Sequence, residues 1–149
     1  MSAPDATPDA APAHDRFAEF FVGQWAELSK YVSDADVMQF ADVTGDRNPV
    51  HVDPVAAAAS RFGERIAHGM LAAGYISAVM AMKLPGPGAI YVSQSLRFVR
   101  PVRIGDTITA RAEVVEVFAT RRRLRLSTLC RNQQGEVVVD GEAVILVPA

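Results

Sequence analysis

At 149 residues, half of them hydrophobic, the chain is long enough for one domain with a real core. A formal net charge of -2 argues against a nucleic-acid binder, which would carry a basic face. The single cysteine, Cys130, excludes a disulfide within the chain, and no apolar run approaches the roughly 18 residues that a membrane helix requires. The opening MSAPDATPDAAPAHD has neither the basic nor the apolar region of a signal peptide. Its Ala/Pro composition predicts a disordered tail over residues 1–15, with His14 incidental, ahead of a single domain over 16–149. Together with the cysteine usage this fits a reducing, cytoplasmic setting.

Residues 24–32 (QWAELSKYV) read as a first strand. Ser33 followed by Asp36 resembles a capping box and leads into a short helix through DVMQFADV. The turn-rich stretch TGDRNPVH, Thr44 to His51, comes next and is too broken to read as a helix. Asp53-Pro54 opens a second short helix, VAAAASRF, which Gly63 stops. From Met70 to about Lys83 the run MLAAGYISAVMAMK is apolar nearly all round, so it reads as a helix buried on most sides, and Pro85-Gly86 ends it.

After Pro87 the chain changes character. Residues 90–99, 106–118, 121–131 and 136–147 are rich in β-branched side chains with partial two-residue alternation. In RRRLRLSTLCR, Leu124, Leu126 and Cys130 share one face, which makes Cys130 a small core hydrophobe rather than a nucleophile. Asn132-Gln133-Gln134-Gly135 reads as a hairpin turn. The order of strand, short helices, one buried helix and about four strands predicts an α+β fold, an antiparallel sheet curled around the helix.

Within TGDRNPVH, the Gly, Asp, Asn and Pro are what a turn demands, but the His is not. Asp46 and His51, five positions apart, form a candidate acid/base pair. Pro49 fixes its own φ and biases Asn48 toward an extended conformation, which stiffens the link between them. The three histidines and one cysteine show no metal-ligand spacing.

The segment FADVTGDRNPVHVDPVAA, Phe40 to Ala57, resembles the signature of MaoC-type (R)-specific enoyl-CoA hydratases. That signature has an aromatic, then Gly-Asp-x-Asn-Pro, an aliphatic residue, a His, and a small residue six positions later. Phe40, Gly45, Asp46, Asn48, Pro49, Val50, His51 and Ala57 supply every element, and the similarity continues through RIAHGMLAAGYISAVM and IYVSQSLRFVRPVRIGD. The resemblance implies a hotdog fold, a homodimer, and reversible addition of water to trans-2-enoyl-CoA, giving the (R)-3-hydroxyacyl-CoA. It implies no cofactor and no metal, since coenzyme A is part of the substrate. Fatty-acid metabolism, including polyhydroxyalkanoate precursor supply, is the setting it suggests.

By the same resemblance, Asp46 and His51 grip and activate the water, and the backbone N–H of Gly69 receives the thioester oxygen. Asn48 either orients His51 or the substrate, or is a plain turn residue. Ser77 supports the active-site hydrogen bonds or floors the acyl pocket, or else bonds back to its own helix. His68 is expected in a structural or supporting role, and Tyr75, Met80 and Met82 in the core. Arg97, Arg100 and Arg103 are the candidate groups for the coenzyme A phosphates, whereas Arg121–Arg123 reads as a solvated strand face. The competing readings are a 3-hydroxyacyl dehydratase acting on acyl-carrier-protein thioesters, a hotdog thioesterase, and a non-catalytic thioester-binding subunit.

Overall fold

The computed structural model describes residues 14–149. A 3-10 turn at Arg16–Glu19 leads to strand β1 (Trp25–Tyr31), followed by helices α1 (Asp34–Thr44), α2 (Pro49–Val52), α3 (Pro54–Ala58) and α4 (Gly69–Met82). Strands β2 (Ile90–Gln94), β3 (Arg97–Phe98), β4 (Thr107–Phe118), β5 (Arg123–Arg131) and β6 (Val137–Leu146) complete the chain. One antiparallel sheet runs β1-β4-β5-β6-β2, with β3 also on β6, so β1 and β2 are its edges. This is the α+β, hotdog arrangement that the sequence led us to expect.

Local chemistry starts the first helix. The Ser33 hydroxyl accepts the Asp36 N–H at 3.0 Å, and the Asp36 carboxylate accepts the Ser33 N–H at 3.1 Å, a closed capping box. Helix α4 carries no charged side chain from Gly69 to Met82, so only enclosure satisfies it. Its Ile76, Val79 and Met80 are buried against Ala110, Ala112 and Val114 of β4, Leu124 and Leu126 of β5, and Ala143 and Ile145 of β6. The alanines let helix and sheet approach closely. On β5 the alternation is complete: Leu124, Leu126, Thr128 and Cys130 face inward. Burial pushes the Cys130 thiol up to about 12, so it stays protonated and inert. Leu126→Ala is expected to destabilise the domain by about 2–5 kcal/mol, since the void is closed in by helix and sheet. The urea midpoint should fall at unchanged m-value.

Several details differ from the sequence reading, among them Met82, which was expected in the core with Tyr75 and Met80 but stands 69% exposed at the end of α4. The strand expected over 90–99 is interrupted into β2 and β3, with a bulge at Tyr91/Ser93. The second short helix ends at Ala58 rather than running to Gly63. Of the expected tail, residues 1–13 lie outside the described residues. Asp15 is tied down, capping the 3-10 turn and pairing with Arg122 through two contacts of 2.7 and 2.8 Å. Among the described residues no helix is long and apolar enough to cross a membrane.

Candidate active site

The motif folds as a chain of caps. Helix α1 ends at Gly45, whose φ of 80° is the left-handed conformation that favours glycine at this position. The Thr44 hydroxyl then accepts the Asp46 N–H at 3.2 Å, and the Asp46 carboxylate accepts the Asn48 N–H at 3.2 Å. Asn48 in turn caps α2, its side-chain oxygen accepting the Val50 N–H at 3.2 Å with Pro49 at the first helical position. The stretch read as too broken for a helix therefore contains one turn of helix, and His51 sits on it. The Asn48 side chain thus caps the turn of helix that carries His51.

The His51 ring is oriented by a residue fifteen positions away. Its Nδ1 lies 2.7 Å from the Ile66 carbonyl, which can only accept. In the neutral ring the proton is therefore on Nδ1, leaving a bare lone pair on Nε2. His68, the residue before α4, is 2% exposed, and its Nε2–H donates to the main-chain carbonyl of Asp46 at 2.8 Å. The two imidazoles stack with centroids 3.9 Å apart, and Phe40 packs on His68 at 4.7 Å.

Asp46, His51 and His68 bring potential ligand atoms within 4.8 Å of one another, which their spacing in the sequence does not reveal. The trio nevertheless suits a metal poorly. An imidazole lone pair lies in its ring plane, and these planes are stacked only 29° from parallel, so the two lone pairs run side by side instead of converging.

His51 and Gly69 line one cleft of about 500 Å³, walled by Phe62, Ile66, Phe98, Val99 and Val139. Asp46 stands beside His51 on the exposed side rather than in the cleft wall. Gly69 is the first residue of α4, where backbone N–H groups have no intrahelical partner and the dipole is positive. Its α-carbon packs against Phe98 so closely that a Cβ would stand 2.6 Å from two ring carbons. Ser77 is eight residues further along α4, about 12 Å down its axis, and takes no part in the cleft wall.

The proposed phosphate arginines prove to be mostly engaged. Arg97 makes a two-pronged contact with Asp140 at 2.9 and 2.8 Å, and Arg103 holds Glu64 at 2.6 Å and the Phe62 carbonyl at 3.2 Å. Arg100 lines the cleft but is shared with Glu136 at 3.3 Å and the Val137 carbonyl at 2.9 Å. Arg61, which sequence reading passed over, also lines the cleft. Its guanidinium lies 5.6 Å from the Phe62 ring centroid, and it has no carboxylate partner among the described residues. Nothing in its local sequence marks it, because the cleft exists only once α3 and β3 are brought together.

The family model "MaoC like domain" matches residues 23–131. A 3-hydroxybutyryl-CoA dehydratase of Methylorubrum extorquens is 51% identical over 132 residues, covering 89% of this chain and 83% of that one. An (R)-specific enoyl-CoA hydratase of Rhodospirillum rubrum is 48% identical, covering 89% and 92%. The solved structure of the R-hydratase PhaJ1 from Pseudomonas aeruginosa superposes with a TM-score of 0.85 at 51% identity, covering 89% of this chain and 84% of that one. Similarity of this extent takes in the sheet, the buried helix and the whole capped segment that carries Asp46 and His51, and on that ground the chain belongs to the MaoC-like domain family.

Proposed function

We infer that the protein is an (R)-specific enoyl-CoA hydratase, a hydro-lyase that adds water reversibly to trans-2-enoyl-CoA. The observation that carries this reading is the His51 ring. Its Nδ1–H is spent on Ile66, so its bare Nε2 is free to serve the cleft, with the Asp46 carboxylate close by. A water held between Nε2 and the carboxylate gives up a proton to one of them as its oxygen bonds to C3 of the substrate. Negative charge moves onto the thioester oxygen, which the Gly69 N–H stabilises at the helix start. The proton then goes to C2 from the same side, which makes the addition syn. Asn48 serves by capping the segment.

Hydration forms one C–O and one C–H bond with no net change of oxidation level, so the reaction as proposed needs no redox cofactor, and Asp46, His51 and the Gly69 N–H take the roles that a metal would otherwise fill. The acyl-CoA tail leaves past Arg61 and Arg100, and Arg61 is the better phosphate partner because no carboxylate occupies it. The protein acts as a homodimer in the cytoplasm. The second copy docks along β2, an open edge that exposes Ile90, Tyr91 and Val92 and continues into Phe98 and Val99.

The test is loss of enoyl-thioester absorbance when purified protein meets crotonyl-CoA, with chiral analysis of the product. Formation of (R)-3-hydroxybutyryl-CoA is expected. Inactivity toward crotonyl-CoA and a longer enoyl-CoA alike would sink the reading. Arg61→Ala is expected to raise KM for crotonyl-CoA by about tenfold, about 1.4 kcal/mol, with kcat little changed. The same variant should handle crotonyl-pantetheine, which lacks phosphates, as the parent protein does.

A further inference from the structure

His68 adjoins Asp46, His51 and Gly69 without lining the cleft. Its Nε2–H donates to the main-chain carbonyl of Asp46 at 2.8 Å, tying the Asp46 loop to the start of α4 across 22 residues of sequence. Its ring stacks on His51 with centroids 3.9 Å apart and packs on Phe40, the aromatic that begins the motif. Its immediate neighbour is Gly69. One buried side chain therefore sets three positions relative to one another: the carboxylate-bearing loop, the plane of the His51 ring, and the N–H at the head of α4.

Stability alone does not account for a histidine here. Its Nδ1 is buried with no hydrogen-bond partner. An orphaned buried polar atom is unfavourable, and a phenyl ring, one atom larger, could take the same place without it. What a phenyl ring lacks is the Nε2–H.

We propose that His68 is a positioning residue for the hydration, clamping Asp46 and His51 to each other and to the Gly69 N–H, a role that rests on the hydratase reading above. Reacting groups displaced by about 1 Å can lose roughly 100-fold in rate, so a clamp at this junction acts on kcat rather than on substrate binding.

Two variants separate the clamp from mere packing. His68→Phe keeps a flat ring and removes the donor. His68→Gln removes the ring and keeps an amide N–H at about the same reach. We expect His68→Phe to melt no lower than wild type, yet to lose about 30- to 100-fold in kcat with KM within about threefold. Amide hydrogen exchange across residues 44–52 should accelerate in the same variant. His68→Gln should keep kcat within about fivefold and exchange near the wild-type rate. Wild-type kcat and exchange in His68→Phe would overturn the proposal, as would equal impairment in His68→Gln. If the wild-type protein hydrates no enoyl-CoA, the hydratase reading fails instead. The exchange comparison then decides the clamp by itself, with unchanged exchange in His68→Phe overturning it.

Discussion

Asp46→Asn and His51→Asn are each expected to lower kcat for hydration of crotonyl-CoA by at least about 100-fold, the low end for residues that move protons. These substitutions are chosen because the local hydrogen bonds survive them. Asn at 46 retains an oxygen to accept the Asn48 N–H, the contact that orders the turn. Asn at 51 places an amide N–H close to where Nδ1–H meets the Ile66 carbonyl. The first variant loses the carboxylate charge, and the second loses the Nε2 lone pair together with the ring that stacks on His68. A 100-fold loss is about 2.7 kcal/mol of barrier. If both residues act on one water, their effects do not multiply, and the double variant should be little worse than the poorer single one. The check is kcat for all four proteins beside their thermal unfolding. Folded single variants with near wild-type kcat would return TGDRNPVH to being a run of caps and turns.

Gly69→Ala is expected to reduce kcat/KM by about 100-fold, comparable to removing a donor from an oxyanion site. The N–H is still present in this variant, so the loss comes from sterics. The new Cβ would stand 2.6 Å from Cδ1 and Cε1 of Phe98, closer than carbon atoms tolerate. Either the phenyl ring swings into the cleft, where it already forms part of the wall, or the head of α4 shifts away from the thioester oxygen. Both spoil the approach of substrate to backbone that a glycine permits. Gly69→Ala combined with Phe98→Ala tells the two apart. Recovery to within about tenfold of Phe98→Ala alone means that the ring was the obstacle and that the N–H still works. No recovery means that the backbone itself moved. Full activity in Gly69→Ala would remove this N–H from the mechanism.

The part of the fold written into the sequence is the part decided by near neighbours. The capping box at Ser33 and Asp36 spans three residues. The uncharged run of α4 and the alternation along β5 announce burial without reference to any partner. The β character of 90–99 is legible in the same way, although its break at Ser95–Leu96 is not. That break depends on β6, where the Ser95 N–H donates to the Glu142 carbonyl at 2.8 Å across 47 residues. The motif itself was legible as residues and misread as structure, since Asn48 and Pro49 start a helix turn as readily as they make a loop.

The arginines mark the other limit. Arg97, Arg100 and Arg103 were singled out for their charge, which is a property of the residue. Their availability is a property of the fold, and Asp140, Glu136 and Glu64 lie 43, 36 and 39 residues away along the chain. Arg61 carries the same charge but acquires its place only from the cleft that forms around it.

The class of fold, the buried helix and the Asp46/His51 pair are legible along the chain because short-range caps, hydrophobic periodicity and a long gap-sensitive motif are local, whereas Gly69 comes from the family resemblance. Only the folded chain sets which nitrogen of His51 is bare, that His68 joins the Asp46 loop to the head of α4, and which of the two arginines lining the cleft has no carboxylate partner among the described residues. Each of those outcomes is a hydrogen bond or ion pair between groups fifteen or more residues apart, or the lack of one, and such pairings exist only once the sheet has closed around its helix.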